Sequence, residues 1–115
     1  MTPNEIITGL RDLTIELDQR VKELKACEHV AAITRHAADL AESKAFLIAE
    51  GAMDLRRHKA RVESEQQELE ALTAEAEVRG LRAQVRAIET RIDVGRSFGA
   101  AVRAELKTLG MDGAA

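Results

Sequence analysis

Leu81, Val85, Ile88, Ile92, Gly95, Gly99, Val102, Leu106 and Leu109 recur at alternating spacings of four and three. Such an a/d seam, unbroken over about four heptads, commits one face of a helix to another helix. A chain carrying it must bring a second long helix alongside, from itself or from another copy. Arg79, Arg82, Arg86, Arg96, Arg103 and Lys107 fall at b and f positions, on the face read as turned away from the seam. One helix is thus expected to hold the fold on one side and to present positive charge on the other.

The rest of the composition agrees with long helices. Of 115 residues, 32% are charged and 2% aromatic, with no Trp, no Tyr and a single Pro. That is enough chain for one domain, and it supplies long thin seams rather than a thick core. The lone Cys27 cannot form an internal disulfide, which points to a reducing compartment. No apolar run approaches the ~18 residues of a membrane span, and the N-terminus lacks a basic segment followed by an apolar one. The expectation is a soluble, cytoplasmic chain with no membrane partner.

Charge divides unevenly along it. Residues 1–78 carry 10 Lys and Arg against 16 acids, whereas residues 79–115 carry 7 against 4. Glu63, Glu65, Glu68, Glu70, Glu75 and Glu77 form one acidic patch, with no cation between Arg61 and Arg79. This division fits a nucleic-acid or protein partner for the basic end, or an acidic stretch lying beside a basic one of another copy.

From the start of the chain, Thr2, Pro3 and Glu5 form a helix-opening signal. Thr2 can cap, Pro3 suits the first helical position, and Glu5 completes a capping box. Ile6, Leu10, Leu13, Leu17 and Leu24 then keep an a/d rhythm, broken at Arg20 and Val21. Small residues continue it: Cys27, Ala31, Thr34, Ala38, Ala41 and Ala45, then Ile48. An alanine-lined seam lets two helices approach closely. The first helix is predicted over 3–49.

A turn is predicted at 50–54, with Gly51 ending the first helix and Asp54 capping the next. The competing reading is one continuous helix that tolerates Gly51, but a helix of more than about 100 residues is rare. The second helix is then predicted over 55–109, with Gly110 at its end, Met111 touching Leu106, and a frayed tail over 110–115. Leu55, Val62 and Leu69 keep one seam phase, with Lys59 and Gln66 at the alternate positions. The phase slips before Val78, as in a stutter.

Folding at Gly51 gives the predicted fold class: all-α, a long antiparallel two-helix coiled-coil hairpin that dimerises into a helical bundle. The implied register puts Leu24 near Gly80, Leu17 near Ala87 and Ile6 near Phe98. The second helix, about 56 residues or 84 Å long, outruns the first. Val102, Leu106 and Leu109 then lack an intrachain partner, and an exposed apolar stripe of this kind marks an interface. Together with Phe98, they are the predicted protein-interaction residues, and a homodimer is the predicted state.

Other candidate sites are weaker. His29 and His36 are seven apart, which does not aim two imidazoles at one ion, and no Glu-x-x-His pair repeats; with His58 and Cys27 they read as surface or seam residues. No metal and no cofactor is expected. Cys27 falls on the seam as a small hydrophobe. A two-helix hairpin supplies no cavity for a nucleophile and base, so no enzyme activity is expected. Gly95 and Gly99, four apart on the seam, point to close approach of a second backbone or a bulky side chain. Arg56, Arg57, Lys59 and Arg61, with His58, crowd the start of the second helix, where its dipole favours anions. They are candidate contacts for phosphate or an acidic partner. Arg79, Arg82, Arg86, Arg96 and Arg103 have the electrostatic footprint of a nucleic-acid binder. Glu89 and Asp93 interrupt that stripe, however, no aromatic platform exists for stacking bases, and no DNA-binding motif is present.

The stretch AESKAFLIAEG at 41–51, the cations from Arg56 to Arg61, and RIDVGRSFGAAVRAELKTLG at 91–110 resemble small helical proteins of tailed phages infecting actinobacteria. The likeness covers about the last two-thirds of the chain. Many such proteins have no assigned activity, and some are encoded among replication and recombination genes. The resemblance implies a phage accessory protein acting inside the infected cell, and it carries over no catalytic residue. Two functions follow as expectations. One is a non-enzymatic interaction protein that binds a phage or host protein through coiled-coil surfaces. The other is an accessory factor of phage recombination or replication that contacts DNA phosphates through its arginines.

Overall fold

The computed structural model describes residues 2–114, with side chains to residue 110. It is all-α: α1 spans Pro3–Ile48, α2 spans Met53–Glu63 and α3 spans Glu65–Ala114, and there is no strand among the described residues. No helix among them is long and apolar enough to cross a membrane.

The start of α1 follows directly from its sequence. The Glu5 N–H donates to Thr2 Oγ1 at 3.2 Å, and the Thr2 N–H donates to Glu5 Oε2 at 3.0 Å. This is the reciprocal capping box, and Pro3 is the first helical residue. Gly51 has φ of +116°, the left-handed region that a residue with a Cβ rarely adopts, and it lies in the break between α1 and α2. Asp54 does not cap α2, however. Ala52, in extended conformation, is the N-cap without a side-chain bond, and Asp54 sits in the first turn. There its carboxylate still meets the positive end of the helix dipole.

The stretch predicted as one helix over 55–109 is two. Ser64, with φ of −96° and ψ of 11°, separates α2 from α3. Its side chain is buried and its Oγ donates to the Ala60 carbonyl at 2.8 Å. A serine that bonds back four residues competes with the helix ladder and bends it. The ladder resumes at once, with the Glu68 N–H donating to the Ser64 carbonyl at 3.0 Å. At the other end, α3 does not stop at Leu109. It continues past Gly110, whose φ is not positive, to Ala114. A glycine costs a helix interior only about 1 kcal/mol, and no proline follows to force an end. The predicted contact of Met111 with Leu106 lies outside the described side chains.

The chain forms two compact units, one of Met1–Lys22 with Ala83–Ala115 and one of Glu23–Arg82. In the first unit Ile6, Ile88 and Ile92 are buried. A Cβ placed on Gly99 would lie 3.3 Å from Ile6 Cγ2, and one on Gly95 would lie 2.8 Å from Leu10 Cδ2. The two glycines therefore receive bulky side chains of α1. Ile6 meets Gly99, one residue from the Phe98 that the sequence register gave it.

In the second unit, Ala31, Ala74 and Val78 form a buried cluster with Leu24 and Cys27 against it. Around it the seam is made of methyl groups: Ala38, Ala60 and Ala71 are each 1% exposed or less. Counting back from Val78 by threes and fours, the inward positions are Ala74, Ala71, Gln67, Ser64 and Ala60. Leu55, Val62 and Leu69, predicted to be on the seam, are instead exposed, as is Leu72. Lys59 and Gln66, read as the alternate seam positions, are exposed too. The long apolar seam of α3 sets the phase, and leucines out of step with it are carried to the outside. The predicted slip before Val78 is absent: the inward positions keep alternating threes and fours from Ala60 through Val78 to Ile88. The polar Ser64 and Gln67 make their layer the weakest, and Gln67 Oε1 is buried with no hydrogen-bond partner among the described residues.

Candidate interaction surfaces

Cations at the start of α2 are held by the end of α1. The Arg56 guanidinium lies 4.4 Å from the centroid of the Phe46 ring, and its Nη2 donates to the Phe46 carbonyl at 3.2 Å. Lys59 Nζ donates to the Glu50 carbonyl at 2.9 Å. The last carbonyls of a helix have no intrahelical donors and carry the negative end of its dipole. The turn at Gly51 brings the Phe46 carbonyl of α1 and the Glu50 carbonyl of the break beside the start of α2, which explains cations where the dipole of α2 alone would favour anions. Arg56 and Lys59 thus have structural partners rather than being free to meet phosphate, and Arg61 Nε lies 4.0 Å from Glu42. Arg57 is exposed.

The acidic patch likewise has a partner in its own unit. Arg35, half-buried on α1, donates through Nη1 to Glu68 Oε2 at 2.7 Å, and through Nη2 and Nε to Glu75 at 2.6 and 3.3 Å. The arginine holds the Glu75 carboxyl below the usual carboxylate range, chiefly through these hydrogen bonds. Of the six glutamates, two are therefore committed to the fold.

The arginine stripe does not all face away from the seam. Arg82 Nη2 is 3.9 Å from Glu28. Arg96 and Arg103 border a hollow of about 120 Å³ with Ile6, Gly99 and Val102, next to the contact between α1 and α3. Counted on the seam phase, Arg82, Arg96 and Arg103 are e residues, which flank an interface rather than oppose it. Arg79, Arg86, Arg96 and Arg103 are exposed. Among the described residues, no carboxylate lies within 4 Å of Arg86, Arg96 or Arg103.

Of the predicted interaction residues, Val102 is half-buried beside Pro3 and Ile6, so it is not the orphan that the register implied. Phe98, Leu106 and Leu109 are 49%, 50% and 59% exposed. Phe98 forms one wall of an apolar groove of about 420 Å³ in the first unit, with Leu10 and Leu13 of α1 and Val94 of α3. Gly9 also lines it, with nothing within 4 Å of where its Cβ would be. Glu5 borders the groove on the α1 side and Arg91 on the α3 side.

A further apolar stripe was not anticipated. Val30, Ile33, Leu40 and Leu47 of α1 lie three, seven and seven residues apart, on one helix face, and all are exposed, Leu47 by 75%. The signal was present: these are the large residues left over once Ala31, Ala38 and Ala45 are taken as the seam. His29, His36 and His58 are exposed, and no cluster of three metal-ligating side chains occurs among the described residues. No known protein-family model, curated protein or solved structure matches the chain.

Proposed function

We propose that this chain is a non-enzymatic interaction protein: an antiparallel helical coiled-coil hairpin that associates with a second copy of itself and binds another protein through its outward faces. The observation that carries the reading is the regular stripe of Val30, Ile33, Leu40 and Leu47, fully formed yet uncovered. Apolar side chains repeating on one exposed helix face are the usual footprint of a helix-on-helix interface. In this part of α1 the large residues lie outside while Ala31, Ala38 and Ala45 face inward, so apolar area is left available for association. The resemblance to phage proteins makes the bound protein a phage or host component of the infected cell.

The test is a tagged pull-down from actinobacterial host lysate treated with nuclease, with the unaltered chain and with Ile33→Asp/Leu40→Asp. A discrete protein retained by the first and lost by the second supports the reading. Recovery unchanged by the double substitution removes the stripe as the binding face.

A second reading has its own observation, the exposed Arg86, Arg96 and Arg103 without carboxylate partners among the described residues. In that reading the chain is a DNA-associated factor of phage recombination or replication, and contact is with phosphates. Binding would then weaken steeply with salt and fall on replacing those arginines. Recovery of a partner that disappears with nuclease would favour it.

A further inference from the structure

The first unit presents two surfaces that are open among the described residues. One is the groove walled by Leu10, Leu13, Val94 and Phe98. Its α1 rim is acidic. Glu5 and Gly9 line the groove, and Asp12 and Glu16 follow at helical spacing on the same face. Its α3 rim carries Arg91. The other is the end of α3. There Leu106 and Leu109 are exposed, Arg103 and Lys107 flank them on one side, and Glu105 lies on the other.

We infer that the groove receives the Leu106–Leu109 end of α3 from a second copy of this chain, and that the exchange is reciprocal. This rests on the self-association proposed above and names the surfaces that make it. Charge decides the occupant. Two identical grooves laid face to face about an axis across them would oppose acidic rims, whereas the end of α3 brings Arg103 and Lys107 to the acidic rim and Glu105 to the side of Arg91. The direction follows from the same match. With its leucines facing the groove and its cations on the α1 side, a right-handed helix must run opposite to the α3 that it docks on. That is the relation a two-fold axis produces, so each copy gives an end and receives one.

The axis would pass close to Ala101, about midway along α3 between the groove and the leucines. Ala101 is small, exposed and on the same side of α3 as Val94 and Phe98, which lets two copies of α3 cross closely. Gly9 gains a purpose by the same arrangement. Unlike Gly95 and Gly99, it has no described side chain within 4 Å of where its Cβ would be, and a helix lying in the groove would pass over it. Reciprocity also doubles the buried area, which a single stripe of two leucines would leave far short of the ~1,000 Å² of a stable interface.

The experiment is light scattering on the full chain at micromolar concentration, with a groove variant, Asp12→Lys/Glu16→Lys, and an end variant, Arg103→Glu/Lys107→Glu. Circular dichroism monitors helicity, and Leu106→Asp/Leu109→Asp serves as a second end variant that alters only exposed residues. The expected result is a dimer for the unaltered chain, monomers for each variant alone, and a dimer again when the groove and end charge variants are mixed. Only the mixture pairs a basic groove with an acidic end and an acidic groove with a basic end. An unaltered chain that is monomeric overturns both this inference and self-association itself. Variants that remain dimeric, or a mixture that stays monomeric, overturn this inference alone and leave self-association to another face.

Discussion

Arg35 and Glu75 are joined by two hydrogen bonds, Nη2 to Oε1 at 2.6 Å and Nε to Oε2 at 3.3 Å, across 40 residues of sequence. The fork geometry of a guanidinium on a carboxylate is directional as well as attractive, so the pair fixes register where the neighbouring seam positions, Ala31, Ala38, Ala71 and Ala74, offer only methyl groups. Glu68 takes the remaining arm of the same arginine.

This pair predicts a pH dependence. The folded state holds the Glu75 carboxyl below its ordinary value of 4.5, so the charged form is the one that folding favours. The stabilisation is fully present above that value and is lost as pH falls through the lower folded-state pKa. Arg35 stays charged throughout. The thermal midpoint should therefore drop on acidification below pH 4.5, and Glu75→Gln should lower it at neutral pH while flattening the drop. A Glu75→Gln profile parallel to the unaltered one would show that the pair does not contribute.

Glycines of α3 should separate sharply on substitution. Gly80 has nothing within 4 Å of a built Cβ, so Gly80→Ala should stabilise by about 1 kcal/mol through helix propensity alone. Gly95 faces Leu10 Cδ2 at 2.8 Å, and Gly95→Val would push that side chain from its place. A loss of about 1–3 kcal/mol is expected, as for other overpacked cores. Urea unfolding of the two variants, read by helicity, checks both signs.

At the turn, Gly51→Ala combines a left-handed backbone with a Cβ 3.0 Å from Leu55 Cδ2. The expected cost is about 1–2 kcal/mol. Arg56→Ala should cost about 0.5–1 kcal/mol through loss of the contact with Phe46. Thermal denaturation of each variant measures these effects, and a Gly51→Ala protein as stable as the parent would mean that the break had closed into a continuous helix.

Ser64→Ala should remove the side-chain back-bond to Ala60 at the junction of α2 and α3. Its backbone N–H already donates to the same carbonyl at 3.0 Å, so no acceptor is left bare. Helical signal should rise slightly, and stability should be unchanged or improved by about 0.5 kcal/mol. A clear loss of stability would show that the bend is needed to bring Gln67 and Ala71 into the seam.

Where a feature is local, the sequence announced it: the Thr2–Glu5 capping box, the break at Gly51, and the seam from Leu81 to Val102 were all legible. Where a feature depends on distant packing, it was not. Leu55, Val62 and Leu69 look like seam residues because leucine is the more apolar choice, yet the phase carried back from Val78 selects alanines. The duties of Arg56 and Lys59 became visible only when the turn set the end of α1 beside them. Phe98, Leu106 and Leu109 were named as candidates from pattern, but Gly9, Leu10 and Leu13 come from a helix about 80–90 residues earlier in the chain. No spacing rule connects them to Phe98.

The division of the chain has a consequence for how it opens. The unit Glu23–Arg82 contains the turn, so its contacts close loops that grow outward from Gly51. The other unit joins the two ends of the sequence, with Ile6 against Gly99. Closing it from a fully unfolded chain meets the largest loop entropy, while closing it on a folded neighbour meets much less. Amide protons of residues 4–22 and 83–102 should therefore exchange through openings that leave the core around Ala38 and Ala71 intact. The segment near the turn should order first and protect its amides longest.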